Sequence, residues 1–225
     1  CAINLIENYN LDVILLEAGK VGWGASSRNG GFCSFPPIKT SFKNLQKIYG
    51  KEETKKFFKN SVEGSNYTKD IISNYNIDCD VTGDSNFILA HHPNKFKQIK
   101  EQSEIYKSEF GIETKIYSKE EFDRIGHGGT EQFGAFSYKP GFGINPLKFV
   151  NGIAKYALSK KLQIFEHSFV AKIDKINSSY ILRTKEGSVN TKKVVVATNG
   201  FYQEGLIPQM NSRILPVISN IIVTR

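Results

Sequence analysis

The first hydrophobic pattern in the chain changes from a helical period to a strand. Ile3 and Ile6 stand three residues apart, and Ala2 and Ile6 stand four apart, which predicts the last turns of a helix. After a short turn, the apolar run Leu11–Glu17 ends in an acid and is closed by Ala-Gly, which predicts a buried parallel strand. Helix, tight turn, strand and acid in this order are typical of the back half of a βαβ dinucleotide-binding unit.

The acid at the end of this strand, Glu17, indicates what should come before it. In such units the acid follows a glycine fingerprint, G-x-G-x-x-G, by roughly 20 residues. The fingerprint and its strand would therefore lie before Cys1, so we expect the chain to be a piece of a longer protein.

A glycine-rich segment follows from Val21 to Phe32. Four glycines and three other small residues in twelve positions give a backbone that can approach a ligand closely. Ser26, Ser27 and Asn29 supply hydrogen-bond donors. Arg28 supplies a fixed cation for a phosphate or for a delocalised anionic ring. The alternative is an ordinary glycine-rich loop in which Arg28 forms a local salt bridge.

The middle of the chain has a mixed pattern of helices and strands. The predicted elements are a helix over residues 42–76, a hairpin over 81–90, a helix over 93–110, a strand over 112–117 and a helix over 118–125. We expect Ser61 and Gly64 to bend or break the first helix, and Ser118–Glu121 to form a capping box. The residues of the first helix predicted to be buried are Phe57, Phe58, Val62, Tyr67, Ile71, Ile72 and Tyr75.

The last third of the chain is predicted to return to alternating helix and strand. Asn145-Pro146 is a strong helix start, and the helix should run to about Lys160. Strands are predicted over 162–165, 169–175, 180–184 and 187–191, followed by a buried strand within 192–200 that runs into a glycine turn. In open α/β sheets the ligand lies at the carboxyl ends of the parallel strands. Thr198, Asn199 and Gly200 lie at such an end, as Glu17 does.

Composition and charge exclude several classes of protein. With 40% hydrophobic and 23% charged residues the chain is not disordered, and no apolar run approaches the roughly 20 residues of a membrane span. The net charge is +8, but only five of the 30 basic residues are arginine and acids lie among the lysines, so we expect no nucleic-acid partner. The three cysteines form no paired pattern, which favours a reduced, cytoplasmic protein.

The sequence lacks the residue patterns that metal sites and hydrolases need. His91 and His92 have no third ligand spaced for a metal ion, His127 lies in a predicted loop and His167 in a strand connection. We therefore expect no metal site. There is no Gly-x-Ser-x-Gly elbow, so hydrolase readings have no support. Cys79 is predicted to be a core residue, and a covalent bond from Cys33 to a cofactor is a minor alternative.

Three stretches in this order resemble the FAD-dependent amine and amino-acid oxidoreductases related to D-amino-acid oxidase and sarcosine oxidase. They are similar above all to the branch of γ-glutamylputrescine oxidase. The stretches are Val13–Gly19 with Gly22–Gly31, then Gly143–Lys148 with its helix, and Val194–Gly200. The block Gly-Ala-Ser-x-Arg-Asn-Gly-Gly within the first is the specific one, and the other two are shared by many flavoproteins.

The resemblance implies a set of residues that bind FAD. It places Glu17 on the adenosine ribose hydroxyls, and a surface acid is the alternative for that residue. It runs Ala25 to Gly31 along the pyrophosphate and the flavin ring, turns the backbone of Val170 to the adenine, and brings Ala197 and Thr198 close to the adenosine diphosphate. The full set of expected cofactor-binding residues is Glu17, Ala18, Gly24, Ala25, Ser26, Ser27, Arg28, Asn29, Gly30, Gly31, Val170, Ala197, Thr198, Asn199 and Gly200.

The resemblance also implies the fold and the domains. The expected class is α/β, with a discontinuous Rossmann-like FAD-binding domain over residues 1–41 and 141–205. A mixed α/β substrate domain is expected over 42–140 and 206–225, with Arg213 and Ile221–Arg225 at the start of its further sheet. The glycine fingerprint and the catalytic residues are expected outside the sequence, so this piece alone should bind FAD poorly and be inactive.

The implied function is oxidation of a C–N bond in a small amine or amino acid. A hydride would pass to flavin N5, the resulting imine would be hydrolysed, and oxygen or another acceptor would take the electrons. Three alternatives stay open: oxidation of a hydroxy acid or polyol phosphate on the same fold, an oxidase-like domain of a tRNA-modification enzyme, and a noncatalytic remnant that keeps the fold as a binding module.

Overall fold

The computed structural model describes residues 1–35, 41–126, 128–201, 203 and 205–215. His127 and the predicted sheet start at Ile221–Arg225 lie outside these ranges. Within the described residues the elements, in chain order, are α1 (Ala2–Tyr9), β1 (Ile14–Leu16), β2 (Phe32–Cys33), α2 (Phe42–Asn74), β3 (Asn86–Leu89), α3 (Pro93–Phe110), β4 (Thr114–Tyr117), α4 (Lys119–Asp123), β5 (Ala135–Tyr138), β6 (Phe142–Gly143), α5 (Pro146–Ser159), β7 (Gln163–Phe165), β8 (Lys172–Ile176), β9 (Ser179–Arg183), β10 (Ser188–Thr191) and a 3-10 turn (Pro208–Met210).

The chain divides into two compact units. The first contains the described residues of Cys1–Gly30 and Val150–Arg225, and the second is Gly31–Phe149. Each unit combines helices with sheets, so the predicted α/β class is confirmed. Among the described helices, none has the length and apolar character needed to span a bilayer.

The parallel strand pair of the first unit is β1 with β7. Ile14 lies opposite Gln163 and Leu16 opposite Phe165, which confirms the parallel strand predicted before Glu17. The prediction was wrong in two respects, because the strand covers three residues and its side chains are only partly buried. In the described part of this unit only Ala157 and Leu162 are fully buried. The apolar side chains of β1 are typical of a strand covered on both faces, but here they are only partly covered.

The buried strand predicted within 192–200 is not present. Residues 193–198 have no regular structure, and the side chain of Val195 is 67% exposed. A strand needs a hydrogen-bonded neighbour, and no described strand pairs with this segment. The predicted turn at its end does form, because Phe201 N donates to Thr198 O at 3.0 Å and Asn199 adopts a left-handed φ of 53°.

The other helix and strand predictions over residues 2–9 and 145–191 are confirmed. The helix α1 ends at Tyr9, and the left-handed conformation of Asn10 turns the following Leu11 N–H back to Leu5 O at 3.2 Å. The strands β8, β9 and β10 form an antiparallel sheet in the order β10-β9-β8. Helix α5 begins where Asn145 Oδ1 accepts a hydrogen bond from Lys148 N at 3.1 Å, with Pro146 as the first helical residue.

The long helix α2 of the second unit is kinked at Gly50, whereas the sequence predicted a bend at Ser61 or Gly64. Gly50 has φ 81° and ψ 169°, a conformation that residues with a Cβ rarely adopt. Ser61 lies within the continuous helix, where its hydroxyl donates to Phe57 O at 2.8 Å. Gly64 is likewise tolerated inside the helix.

The sheet of the second unit has the order β3-β5-β4, with both outer strands antiparallel to β5. The predicted hairpin over 81–90 is therefore wrong: β3 pairs with β5, and Thr82 bridges to Gly143. Strand β5 was missed by the sequence analysis although all four of its side chains are buried. Four residues, one of them Ser137, give too short an apolar run for periodicity to mark it.

An aromatic core fills the second unit. The ring of Phe58 stacks on Phe110 at 4.7 Å and meets Phe42 edge-on at 5.4 Å. The prediction that Phe58 is buried is confirmed, but it was wrong for Phe57 and Tyr67, which are exposed. Successive side chains on a helix point about 100° apart, so Phe57 and Phe58 cannot both face the same core.

The capping box before α4 offers a small, clean test of local stability. Ser118 Oγ accepts from Glu121 N at 3.2 Å, and Glu121 Oε2 accepts from Ser118 N at 2.7 Å. We expect Ser118→Ala to lower the free energy of unfolding by about 1 kcal/mol in urea titration of the full-length protein. Ser118→Thr keeps the acceptor and is the control, and an equal loss in both variants would contradict the capping role.

Candidate functional site

Glu17 is held in one orientation at the carboxyl end of β1. Its N–H donates to Phe165 O at 2.9 Å, and its carbonyl accepts from Ser168 N at 2.8 Å, so the backbone is fixed on both sides. Its carboxylate Oε1 accepts from Gly19 N at 2.8 Å. Among the described residues none binds Oε2, so this half-buried carboxylate has one oxygen anchored and one open to a ligand.

The turn after Glu17 is fixed by residues that follow β7. His167 N donates to Gly19 O at 2.8 Å, and Val21 N donates to Glu166 Oε1 at 2.7 Å. Sequence reasoning placed His167 in a strand connection, as the structure does, but gave no role to Glu166. The position of Glu166 directly after a predicted strand could have indicated this role, because the carboxyl ends of two paired parallel strands lie side by side.

The segment that contains Val170 is joined to Glu17 by a backbone hydrogen bond. Val170 is half-buried and comes two residues after Ser168, whose N–H is bonded to the Glu17 carbonyl. The structure thus places the segment of Val170 next to the end of β1.

The glycine-rich loop folds into successive tight turns. Ser27 N donates to Gly24 O at 3.3 Å, and Arg28 N donates to Ala25 O at 3.2 Å. The Ser27 hydroxyl lies against Gly22 O and Gly24 O. The Asn29 side-chain amide donates to Ala25 O and Ser26 O at 3.0 Å each. Ser27 and Asn29 therefore direct side-chain hydrogens to the loop backbone, which shapes the loop itself.

The glycines of this loop are not equivalent. A Cβ on Gly31 would overlap Ile144 O, and its φ is 69°, so the local fold requires glycine there. A Cβ on Gly24 would meet no atom within 4 Å, and its φ is not in the left-handed region. Nothing in the described fold calls for glycine at position 24, where the loop backbone is open to close approach. Ala18 and Gly30 lie on exposed backbone at either end of this stretch, and Ala25 and Ser26 are exposed within it.

Arg28 lies over an aromatic ring and makes no ion pair with any described residue. Its guanidinium carbon is 4.8 Å from the centroid of the Trp23 ring. The alternative of a loop salt bridge thus finds no support among the described residues. Trp23 was not among the predicted site residues, although it is the only tryptophan of the sequence.

The turn that follows Val194–Val196 meets this loop through aromatic rings. The Phe201 ring lies 6.0 Å from the Trp23 ring at an angle of 57°. Ala197, Thr198 and Asn199 are exposed, and Gly200 is half-buried. The contact between Phe201 and Trp23 therefore ties the predicted residues 197–200 to the loop, and Phe201 is a second residue that the sequence analysis missed.

The set of groups at this site fits a dinucleotide cofactor. A carboxylate with an open oxygen can accept from two vicinal ribose hydroxyls, as an acid at this position does in dinucleotide-binding units. A guanidinium that no described carboxylate neutralises suits a phosphate or an anionic ring. The uncovered backbone at Gly24 allows a flat or bulky group to approach.

Within the described ranges, the remaining side chains form no metal site and no activated thiol. The described residues contain no group of three or more side chains suited to hold a metal ion. Burial, and secondarily the nearby Cys79, raises the pKa of the Cys33 thiol, so this thiol is neutral at physiological pH and weakly nucleophilic. Cys79 is buried, which confirms it as a core residue.

Comparison with known proteins gives one family and a consistent set of relatives. The family model described as "DAO: FAD dependent oxidoreductase" matches residues 1–225. The chain is 26% identical to the gamma-glutamylputrescine oxidoreductase of Escherichia coli (strain K12) over 228 residues, 99% of this chain and 51% of that protein. It is 28% identical to the probable oxidoreductase OrdL of Haemophilus influenzae over 220 residues, 94% of this chain and 49% of that protein.

A solved structure shares the fold. Glycine oxidase from Bacillus cereus matches with a TM-score of 0.66 and 14% identity, over 89% of this chain and 52% of its own. The chain thus spans about half the length of the curated relatives that it matches.

Proposed function

Since the chain belongs to the DAO family of FAD dependent oxidoreductases, we propose that the full-length protein oxidises a C–N bond of a small amine or amino acid. The names of its relatives support this substrate class, because one is a gamma-glutamylputrescine oxidoreductase and a fold neighbour is a glycine oxidase. The observation that carries the assignment of FAD to this part of the chain is the Glu17 carboxylate, anchored through Oε1 and open at Oε2 at the end of β1.

In this proposal each segment of the first unit has one task. Glu17 Oε2 accepts from the adenosine ribose hydroxyls while Oε1 keeps its bond to Gly19 N. Val170 offers backbone groups to the adenine. Ala197 and Thr198, exposed before the turn to Phe201, run past the adenosine diphosphate. The supporting contacts are the hydrogen bonds that join Glu17 to Ser168 and the ring contact between Trp23 and Phe201.

The loop from Gly24 to Gly31 follows the pyrophosphate and the flavin ring. Arg28 supplies the positive charge, and the open backbone at Gly24 allows close approach. The Ser27 hydroxyl and the Asn29 side chain keep the loop in shape by binding its own carbonyls. Ser26 and Gly30 complete the exposed loop backbone. The division into an FAD-binding domain over 1–41 and 141–205 and a substrate domain over 42–140 and 206–225 is part of the same proposal.

The chemistry that bound FAD supplies is hydride acceptance at N5, which converts the amine to an imine that water hydrolyses. In this proposal the residues of this chain orient the cofactor. Oxygen is the proposed electron acceptor, and the cytoplasm the proposed location.

The test is an anaerobic visible spectrum of the full-length protein, recorded before and after a panel of substrates is added. The panel contains glycine, other amino acids, putrescine and its γ-glutamyl derivative, and, as the competing class, 2-hydroxy acids and glycerol phosphate. We expect a flavin spectrum that an amine or amino acid bleaches within minutes, and that oxygen restores.

Two outcomes would contradict the proposal in different ways. Bleaching by a hydroxy substrate alone would keep FAD and replace the substrate class. A purified protein that is colourless and does not take up added FAD would remove the cofactor assignment itself.

A further inference from the structure

Trp23 contacts residues within or beside three of the four segments that the proposed function assigns to FAD: the end of β1, the glycine-rich loop and the turn at residues 197–200. Its side chain packs over Gly19, where an added Cβ would lie 3.5 Å from Trp23 Cβ and Cγ. Gly19 N in turn holds the Glu17 carboxylate. On its face the ring carries the Arg28 guanidinium at 4.8 Å, and it meets Phe201 at 6.0 Å.

The two aromatic rings of this cluster are exposed among the described residues. Trp23 is 53% exposed and Phe201 is 64% exposed, although both are large apolar side chains. A guanidinium over such a ring is restrained in orientation while its hydrogen-bonding edge stays available to a ligand.

We propose that Trp23 is a positioning residue, which holds the Arg28 guanidinium in place for the anionic part of FAD. This inference rests on the proposed function. Arg28 makes no ion pair with the described residues, so the ring contact is the restraint that the structure gives its charged end. A flexible arginine loses several rotamers when it binds, and a stacked one has already lost them, so the indole strengthens binding without contacting the ligand.

The fold also fixes the position of the indole itself. Trp23 N donates to Lys20 O at 2.9 Å, and the preceding Val21 N is held by Glu166 Oε1 at 2.7 Å. The turn that carries Trp23 is thus tied to the end of β7 before any ligand binds. Phe201 lies against one side of the ring, with the two ring centroids 6.0 Å apart.

The first experiment measures FAD affinity by titrating the full-length apoprotein and following flavin fluorescence. We expect Trp23→Leu to weaken FAD binding about tenfold, since a cation–π contact gains strength as ligand binding excludes water. Trp23→Phe keeps an aromatic face and should stay within about threefold of wild type. The matched control is Tyr9→Leu, which removes an exposed aromatic from α1 in the same unit and should bind FAD like wild type.

A double-mutant cycle separates positioning from a general structural effect. If Trp23 acts through Arg28, then Trp23→Leu should change FAD affinity by less than about twofold in an Arg28→Ala background. The thermal unfolding midpoint of the apoprotein should be the same for Trp23→Leu and Tyr9→Leu within about 2 °C. Independent, additive losses for Trp23 and Arg28 would overturn the positioning role.

Failure of this inference differs from failure of the proposed function. A wild-type protein that binds FAD, together with a Trp23→Leu variant that binds it equally well, would refute the role of Trp23 and leave the function intact. A wild-type protein that takes up no FAD would refute both. A loss in Trp23→Phe as large as that in Trp23→Leu would show that the indole acts by another contact than its aromatic face, and would also refute the inference.

Discussion

Replacing Glu17 with glutamine is expected to weaken FAD binding by the full-length protein by tenfold to about 100-fold. The glutamine carbonyl can still accept from Gly19 N, so the turn after β1 should keep its shape. The second oxygen, however, becomes an amide nitrogen, which donates hydrogen bonds and cannot accept from a ribose hydroxyl. Hydrogen bonds to a charged group contribute about 1.5–3 kcal/mol, which corresponds to the expected range of affinity.

Glu166 provides the matched control for this substitution. Its Oε1 also accepts a backbone N–H of the same turn, from Val21 at 2.7 Å, and it lies on the neighbouring strand end. Glu166→Gln therefore removes a negative charge from the same region and preserves the turn contact. We expect its FAD dissociation constant to stay within about threefold of wild type. Equal weakening in both variants would mean that charge in general, and not the open oxygen of Glu17, favours binding.

The elements that the sequence predicted well are those defined by local chemistry. Pro93–Phe110 was predicted with the bounds that the structure gives, and the capping box at Ser118 and the helix start at Asn145 were also confirmed. In each case a few neighbouring side chains satisfy the free backbone groups at a helix end, so the signal is complete within a few residues.

The wrong predictions depended on partners that are distant in sequence. Strand β3 was assigned to a hairpin, but its partner is β5, about fifty residues away along the chain. The apolar run Val194–Val196 has the composition of a strand and no described neighbour to pair with. The kink of α2 lies at Gly50 because the chain adopts a positive φ there. Ser61 and Gly64 keep helical backbone angles, and the residue types alone do not distinguish these three positions.

The residues of the candidate site also divide into those that local sequence marks and those that only distant contacts bring in. Sequence motifs predicted Glu17, Arg28 and the glycine-rich loop as site residues from their residue types and spacing. They did not point to Trp23, Phe201 or Glu166, which contact the predicted residues or their turn only in the folded chain. An aromatic ring or a carboxylate at a strand end is common on protein surfaces, and only its neighbours show what it holds in place.

The largest expected effect on stability comes from Phe58→Ala in the core of the second unit. Phe58 is 1% exposed and stacks on Phe110 at 4.7 Å, so truncation leaves a cavity among rings that cannot easily collapse. We expect the free energy of unfolding in urea to fall by about 3–5 kcal/mol, a large part of the stability of a typical domain. The measurement is the denaturation midpoint of the full-length protein, with the slope of the transition unchanged.

Phe57→Ala tests whether that loss comes from burial or from the helix. Both substitutions replace phenylalanine with alanine, at neighbouring positions of α2, so they change helix propensity equally. Phe57 is 37% exposed and lies at the edge of the core, 5.8 Å from the Phe58 ring, so its truncation should cost less than about 1.5 kcal/mol. The hydrophobic pattern alone predicted both rings to be buried, so comparable losses in the two variants would contradict the orientation that α2 has in the structure. A loss at least about 2 kcal/mol larger for Phe58→Ala, as large core truncations produce, would confirm that orientation.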